Sequence, residues 1–117
     1  MLFRSGYQLI LNAKDCNNLL KDKDSIVKFN DYLIQSIQME RVGDPILQYF
    51  DKLGDKNGWT LFQMISTSSI TIHFCDNGKA FFDVFSCKKF DPVIVCNIIT
   101  EFFDTKNIEW NFIERDI

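Results

Sequence analysis

With 117 residues, 46% of them hydrophobic, the chain can bury one core, and a single domain spanning 1–117 is expected. The net charge of −3, with no basic run longer than Lys88-Lys89, argues against a nucleic-acid partner. No segment approaches the roughly 20 apolar residues that cross a bilayer, and the N-terminal stretch MLFRSGYQLILNAKDC lacks the apolar block of a secretory leader.

Gly6–Asn12 alternates Tyr7, Leu9 and Leu11 against Gln8, Ile10 and Asn12, which predicts a strand with one face partly wet. Asp15 is placed to cap a short helical turn through Leu20. After the charged joint KDKDS, Ser25 is the expected cap of a helix whose stripe is Ile26, Phe29, Leu33 and Ile37. Lys28, Asp31 and Gln35 fall on its other side. The pattern weakens around Gly43-Asp44-Pro45, and a strand or irregular segment ending near Phe50 is expected. Asp51–Gly58 reads as a loop. Trp59–Ile65 and Ile70–Phe74 read as strands, Asp76-Asn77-Gly78 as a tight turn, and Ala80–Phe85 as the returning strand. Asp91-Pro92 starts a helix with the stripe Val95, Ile98, Ile99, Phe102 and Phe103. Asn107–Phe112 is the last expected strand.

Five or six strands and two principal helices make an α+β chain. The expected architecture is a two-layer α/β sandwich: an antiparallel sheet with two main helices on one face, the other face free for a second subunit. The 12 phenylalanines suit either a Phe-rich core or an apolar surface hidden between subunits. Cysteines at 16, 75, 87 and 96 show no CxxC spacing, and a single histidine cannot complete the usual zinc patterns. Free thiols, no metal and a soluble cytoplasmic protein are expected.

The segment Ser66–Cys87 concentrates the chemistry. Along Ser69–Cys75, the residues Ile70, Ile72 and Phe74 face one way and Ser69, Thr71, His73 and Cys75 the other. That polar row is either the solvent face of an antiparallel sheet or a reactive surface. Ser66–Ser69 is likewise either a polar connection or the home of a nucleophile. Hydroxyl, imidazole and thiol together supply what a self-processing enzyme needs: a nucleophile, a proton acceptor and a proton donor.

Thr67-Ser68-Ser69-Ile70-Thr71-Ile72-His73, a short hairpin, then Asp83-Val84-Phe85-Ser86-Cys87 resemble the ESHxxxH and DxFxC signatures of one family. It is the small prokaryotic S-adenosylmethionine decarboxylases, pyruvoyl-dependent enzymes of polyamine (spermidine) synthesis. A weaker likeness extends to residues 6–16 and the C-terminal helix. The resemblance implies that Ser68 attacks the Thr67 carbonyl and cleaves the chain there. A pyruvoyl group, the self-derived cofactor, would then cap fragment 68–117, leaving 1–67 free. It also implies that His73 is the proton acceptor in cleavage, that Thr60 supports the rearrangement, and that Cys87 reprotonates the substrate carbon after CO2 leaves. A homodimer with sites at or near the subunit interface is implied as well. Phe50 takes the place of the residue stacked on adenine, or is a core Phe. Asp76 takes the place of the ribose-binding carboxylate, or is a turn former. Thr67 stands where the family has glutamate and Ser69 where it has histidine. Those departures leave two alternatives open. One is a related enzyme with another substrate, an amino-acid decarboxylase or another enzyme acting on S-adenosylmethionine; the other is an unprocessed homologue that binds a nucleoside or regulates a partner. The enzymatic readings require Ser68, His73 and Cys87 to share one site.

Overall fold

In the computed structural model, which describes residues 5–117, the alternating segments form one six-stranded antiparallel sheet backed by two helices. Residues 1–4, the start of the stretch read as carrying no leader, lie outside the described residues. The elements are β1 (Gly6–Ala13), α1 (Lys23–Ser36), β2 (Ile46–Phe50), β3 (Gly58–Ile65), β4 (Ser68–Cys75), β5 (Ala80–Ser86), α2 (Pro92–Phe102) and β6 (Ile108–Arg115). The strand order is β2-β3-β4-β5-β1-β6, so the first strand in sequence is threaded between β5 and β6. This central position explains why Leu9 and Leu11 are fully buried. No described helix is long and apolar enough to cross a membrane.

The core lies between the helices and one sheet face. Phe29 and Ile26 from α1 and Ile99 from α2 meet Ile70, Ile72 and Phe74 of β4 and Phe82 of β5. Phe29, Phe74, Phe82 and Phe103 form its aromatic centre, with ring centroids 4.9 Å apart for Phe29–Phe103 and 5.8 Å for Phe74–Phe82. Tilted and edge-on contacts of this kind stabilise beyond area burial. The phenylalanines therefore supply the expected Phe-rich core, and others lie on the surface. Phe50, Phe62 and Phe81 remain 41%, 41% and 40% exposed, accompanied by Ile10, Met64 and Ile113. Strand alternation sets these six, Ile10 through Ile113, on the face without helices.

Two caps differ from expectation. Asp15 adopts φ +58° and caps nothing; Asn17 caps the single 3-10 turn Asn18–Lys21 through its Oδ1, which accepts from Leu19 N. Asn17 Nδ2 also donates to Phe102 O at 3.1 Å, a tertiary tie that settles the competition. Helix α1 starts at Lys23 with Asp22, not Ser25, as its cap. The Asp22 carboxylate accepts from both Ser25 N (3.0 Å) and Ser25 Oγ (2.6 Å). That bond holds the Asp22 carboxyl below its usual pKa. Asp91 and Pro92 do start α2, with Asp91 Oδ1 accepting from Val93 N. The loop 51–57 contains a 3-10 turn at Gly54–Lys56, and β4 begins at Ser68 rather than Ile70, leaving only Ser66 and Thr67 to turn the chain from β3.

Candidate active site

The two-residue turn fixes the register of the β3–β4 hairpin. Ile65 pairs with Ser68, and counting back brings Thr60 opposite His73. Their side chains meet on the open face: Thr60 Oγ1 lies 2.8 Å from His73 Nδ1. His73 Nε2 lies 2.7 Å from the Lys56 carbonyl oxygen. A carbonyl only accepts, so Nε2 carries a proton, and in the neutral ring Nδ1 then presents a lone pair to the Thr60 hydroxyl, which donates. The loop that delivers the Lys56 carbonyl is pinned by Asp76 N donating to Asn57 O at 2.8 Å and Asn77 Nδ2 donating to Asp55 O at 3.0 Å.

Phe50 pairs with Gly58, one diagonal step from Thr60 on the same face, and its exposure rules out the core alternative. Asp76 sits in the β4–β5 turn with its carboxylate accepting from the Tyr49 hydroxyl, a bond that raises the Tyr49 pKa. Phe50, Thr60 and His73 therefore share the open face at one end of β4, while the Asp76 carboxylate at that end is held by Tyr49, whose ring packs on Trp59 on the helix side.

Ser68, Thr67 and Cys87 gather at the other end. Cys87 follows β5 directly, and its backbone N donates to Thr67 O at 3.0 Å. Ser68 pairs across with Ser86. It is half-buried and has φ +157°, a backbone setting that L-residues seldom adopt. Among the thiols, burial pushes Cys16 up to about 11, with the Asp15 carboxylate adding to it, and raises Cys75 and Cys96. Cys87 is the exposed one.

A single protomer does not bring Ser68, His73 and Cys87 together. Ser68 and His73 are five residues apart along one extended strand, roughly 16 Å at about 3.3 Å per residue. None of three clefts among the described residues, of about 530, 450 and 330 Å³, is lined by any of the three. Ser68 and Cys87 adjoin; Thr60 and His73 adjoin; the pairs stand at opposite ends of β4.

The family model for S-adenosylmethionine decarboxylase matches residues 7–116. The chain belongs to the S-adenosylmethionine decarboxylase family. The crystal structure of the adenosylmethionine decarboxylase from Aquifex aeolicus VF5 shares the fold, with a TM-score of 0.79 at 18% identity, covering 97% of this chain and 92% of that one. A search among curated protein sequences gives no match. Within this decarboxylase fold, reading the sequence missed three groups that touch the candidate residues: the Lys56 carbonyl, Tyr49 and Ser86. Only Ser86 carried a sequence signal, since alternation from Phe82 and Val84 puts it on the buried face beside the serine-rich turn.

Proposed function

We propose that this chain is a self-processing decarboxylase of S-adenosylmethionine, and that each of its sites is assembled from two protomers. The observation that carries this reading is the division of the candidate residues between the two ends of β4, on a sheet that leaves its apolar face open. Sheets packed face to face lie about 10 Å apart with strands nearly aligned. A two-fold axis in that interface, perpendicular to β4 near its middle, sets the strand end that carries the Thr67–Ser68 bond and Cys87 of one protomer over the Thr60–His73 end of the other, and Ser68, on the helix side with its partner Ser86, meets that site at the end of the sheet. Such an isologous contact forms two identical sites and covers Phe62, Phe81 and Ile10 at once.

The residues fit a pyruvoyl group made from Ser68. The Thr67–Ser68 bond lies at a hairpin exit, beside a residue held at a positive φ. Cutting there does not dismantle the sheet. Fragment 1–67 holds β1, β2 and β3, and 68–117 holds β4, β5 and β6; the pairings β3–β4, β1–β5 and β1–β6 all join the two. When present, the pyruvoyl ketone supplies the electron sink that lets a substrate α-carbon lose CO2.

The protein's own residues perform the rest. In processing, His73 Nδ1 is the basic nitrogen, and the Thr60 hydroxyl in front of it passes the proton inward. In turnover, the exposed Cys87 thiol returns a proton to the substrate carbon. Phe50 stacks on the adenine, and Asp76, oriented by Tyr49, accepts from the ribose hydroxyls. The four free thiols suit a reducing compartment, the cytoplasm.

Intact mass tests the reading. Purified protein is expected as two fragments divided between Thr67 and Ser68, the 68–117 fragment blocked at its N-terminus by pyruvoyl, with the fragments parting only in denaturant. Carboxyl-labelled S-adenosylmethionine should release CO2, and labelled ornithine and arginine should not. One full-length mass after long incubation, with nucleoside binding intact, would instead establish the unprocessed homologue.

A further inference from the structure

The geometry points to Ser86 as a positioning residue that, together with Thr67, clamps the Thr67–Ser68 linkage for attack; the inference rests on the self-processing reading above. Ser86 ends β5, is fully buried, and is the register partner of Ser68. Its Oγ lies 2.6 Å from Thr67 Oγ1 and accepts from Lys88 N at 2.9 Å. Both hydroxyls reach Met39 Sδ at 3.6 Å, so the pair sits against a soft, weakly accepting wall rather than water. The next residue, Cys87, donates its backbone N–H to Thr67 O at 3.0 Å. Two consecutive residues thus grip Thr67 at two points, its side-chain hydroxyl and its carbonyl oxygen.

Each grip has a chemical consequence. In the first step, Ser68 Oγ forms a bond to the Thr67 carbonyl carbon while the carbonyl π pair moves onto the oxygen that the Cys87 N–H already meets. Collapse of that adduct breaks the carbon–nitrogen bond, and the proton given up by the hydroxyl ends on the freed nitrogen. Amide and alcohol become ester and amine, with nothing added, oxidised or reduced. A backbone donor aimed at the oxygen where charge develops is a preorganised stabiliser of that adduct. The side-chain grip fixes how the carbonyl plane is turned toward Ser68. Misplacement of a reacting group by about 1 Å can cost on the order of 100-fold in rate.

Thr67→Val keeps the shape and removes the hydroxyl, Thr67→Ser keeps the hydroxyl, and Ser86→Ala removes its partner. The measurement is the rate at which fragment 68–117 forms after synthesis, followed by intact mass. Melting of each variant in an uncleavable Ser68→Ala background reports folding separately. Thr67→Val and Ser86→Ala are expected to slow cleavage roughly 10- to 100-fold, the double variant no more than either alone, because the two act as one unit. Thr67→Ser should stay within about threefold of the parent. Cleavage of both slow variants at the parent rate overturns the clamp and leaves the self-processing reading standing. Slowing that merely tracks lost folding in the Ser68→Ala background also overturns it. A parent protein that never cleaves overturns the reading and the clamp together.

Discussion

Replacing Ser68 by alanine should leave one full-length chain of 13.7 kDa and abolish CO2 release altogether. The effect is total rather than partial because one oxygen serves two ends. It is the nucleophile that opens the Thr67–Ser68 bond, and its residue is the source of the ketone. Cys87 and His73 cannot compensate, since neither lies on the chain at the scissile bond. Ser68 is only half-buried, so alanine there should fold normally, and melting should confirm it. Ser69→Ala is the matched control. Ser69 carries the next hydroxyl along β4, and its loss should leave the cut between Thr67 and Ser68. A Ser68→Ala protein that still splits at that bond would remove Ser68 from the chemistry.

Gly58→Ala should be the most damaging single change to the fold. Gly58 opens β3 at φ +152°, and a Cβ there would lie 1.7 Å from the Phe74 carbonyl oxygen. That neighbour is backbone, held in a central strand, and cannot swing aside. Gly58 is also pinned from both sides, pairing with Phe50 in β2 and Cys75 in β4. Relief requires prying β3 from β4 just where Thr60 and His73 meet. A cost of about 4 kcal/mol places the change among the severe ones. It is a large share of a small domain's stability of roughly 5–15 kcal/mol. The melting temperature in the Ser68→Ala background should fall by roughly 15 °C. A shift of only a degree or two would mean that the strand relaxes in a way the packing denies.

Much of this fold can be read from the chain. Alternation in Gly6–Asn12 and Ile70–Phe74 assigns the correct residues to the buried face, and the stripe from Ile26 to Ile37 is buried as expected. The caps are harder, because neighbouring polar side chains compete and distant contacts decide. Asn17 wins over Asp15 through its bond to Phe102 O, and Asp22 wins over Ser25 by accepting two hydrogen bonds. The buried bond from Asn30 Nδ2 to Gln63 Oε1 (3.0 Å) has no periodic signature, since it is a helix–sheet contact between residues that local pattern treats as polar surface. The site is legible in its residue types but not in its arrangement. Once Ser66-Thr67 is known to be the whole turn, counting puts Thr60 opposite His73 and Thr67 beside Cys87. The same counting leaves four residues of strand between Ser68 and His73, which no local motif closes.

Co-expression of two defective chains tests the shared site most directly. Ser68→Ala lacks the nucleophile and His73→Gln lacks the base, so each alone should stay uncleaved or nearly so. In a mixed dimer, one of the two composite sites would regain its full set, with Ser68 and Cys87 from the His73→Gln chain and Thr60 and His73 from the Ser68→Ala chain. The predicted result is a 68–117 fragment whose mass carries the glutamine, together with restored CO2 release. No cleavage in the co-expressed pair, while the parent protein cleaves, would show that one chain must supply the whole site by itself.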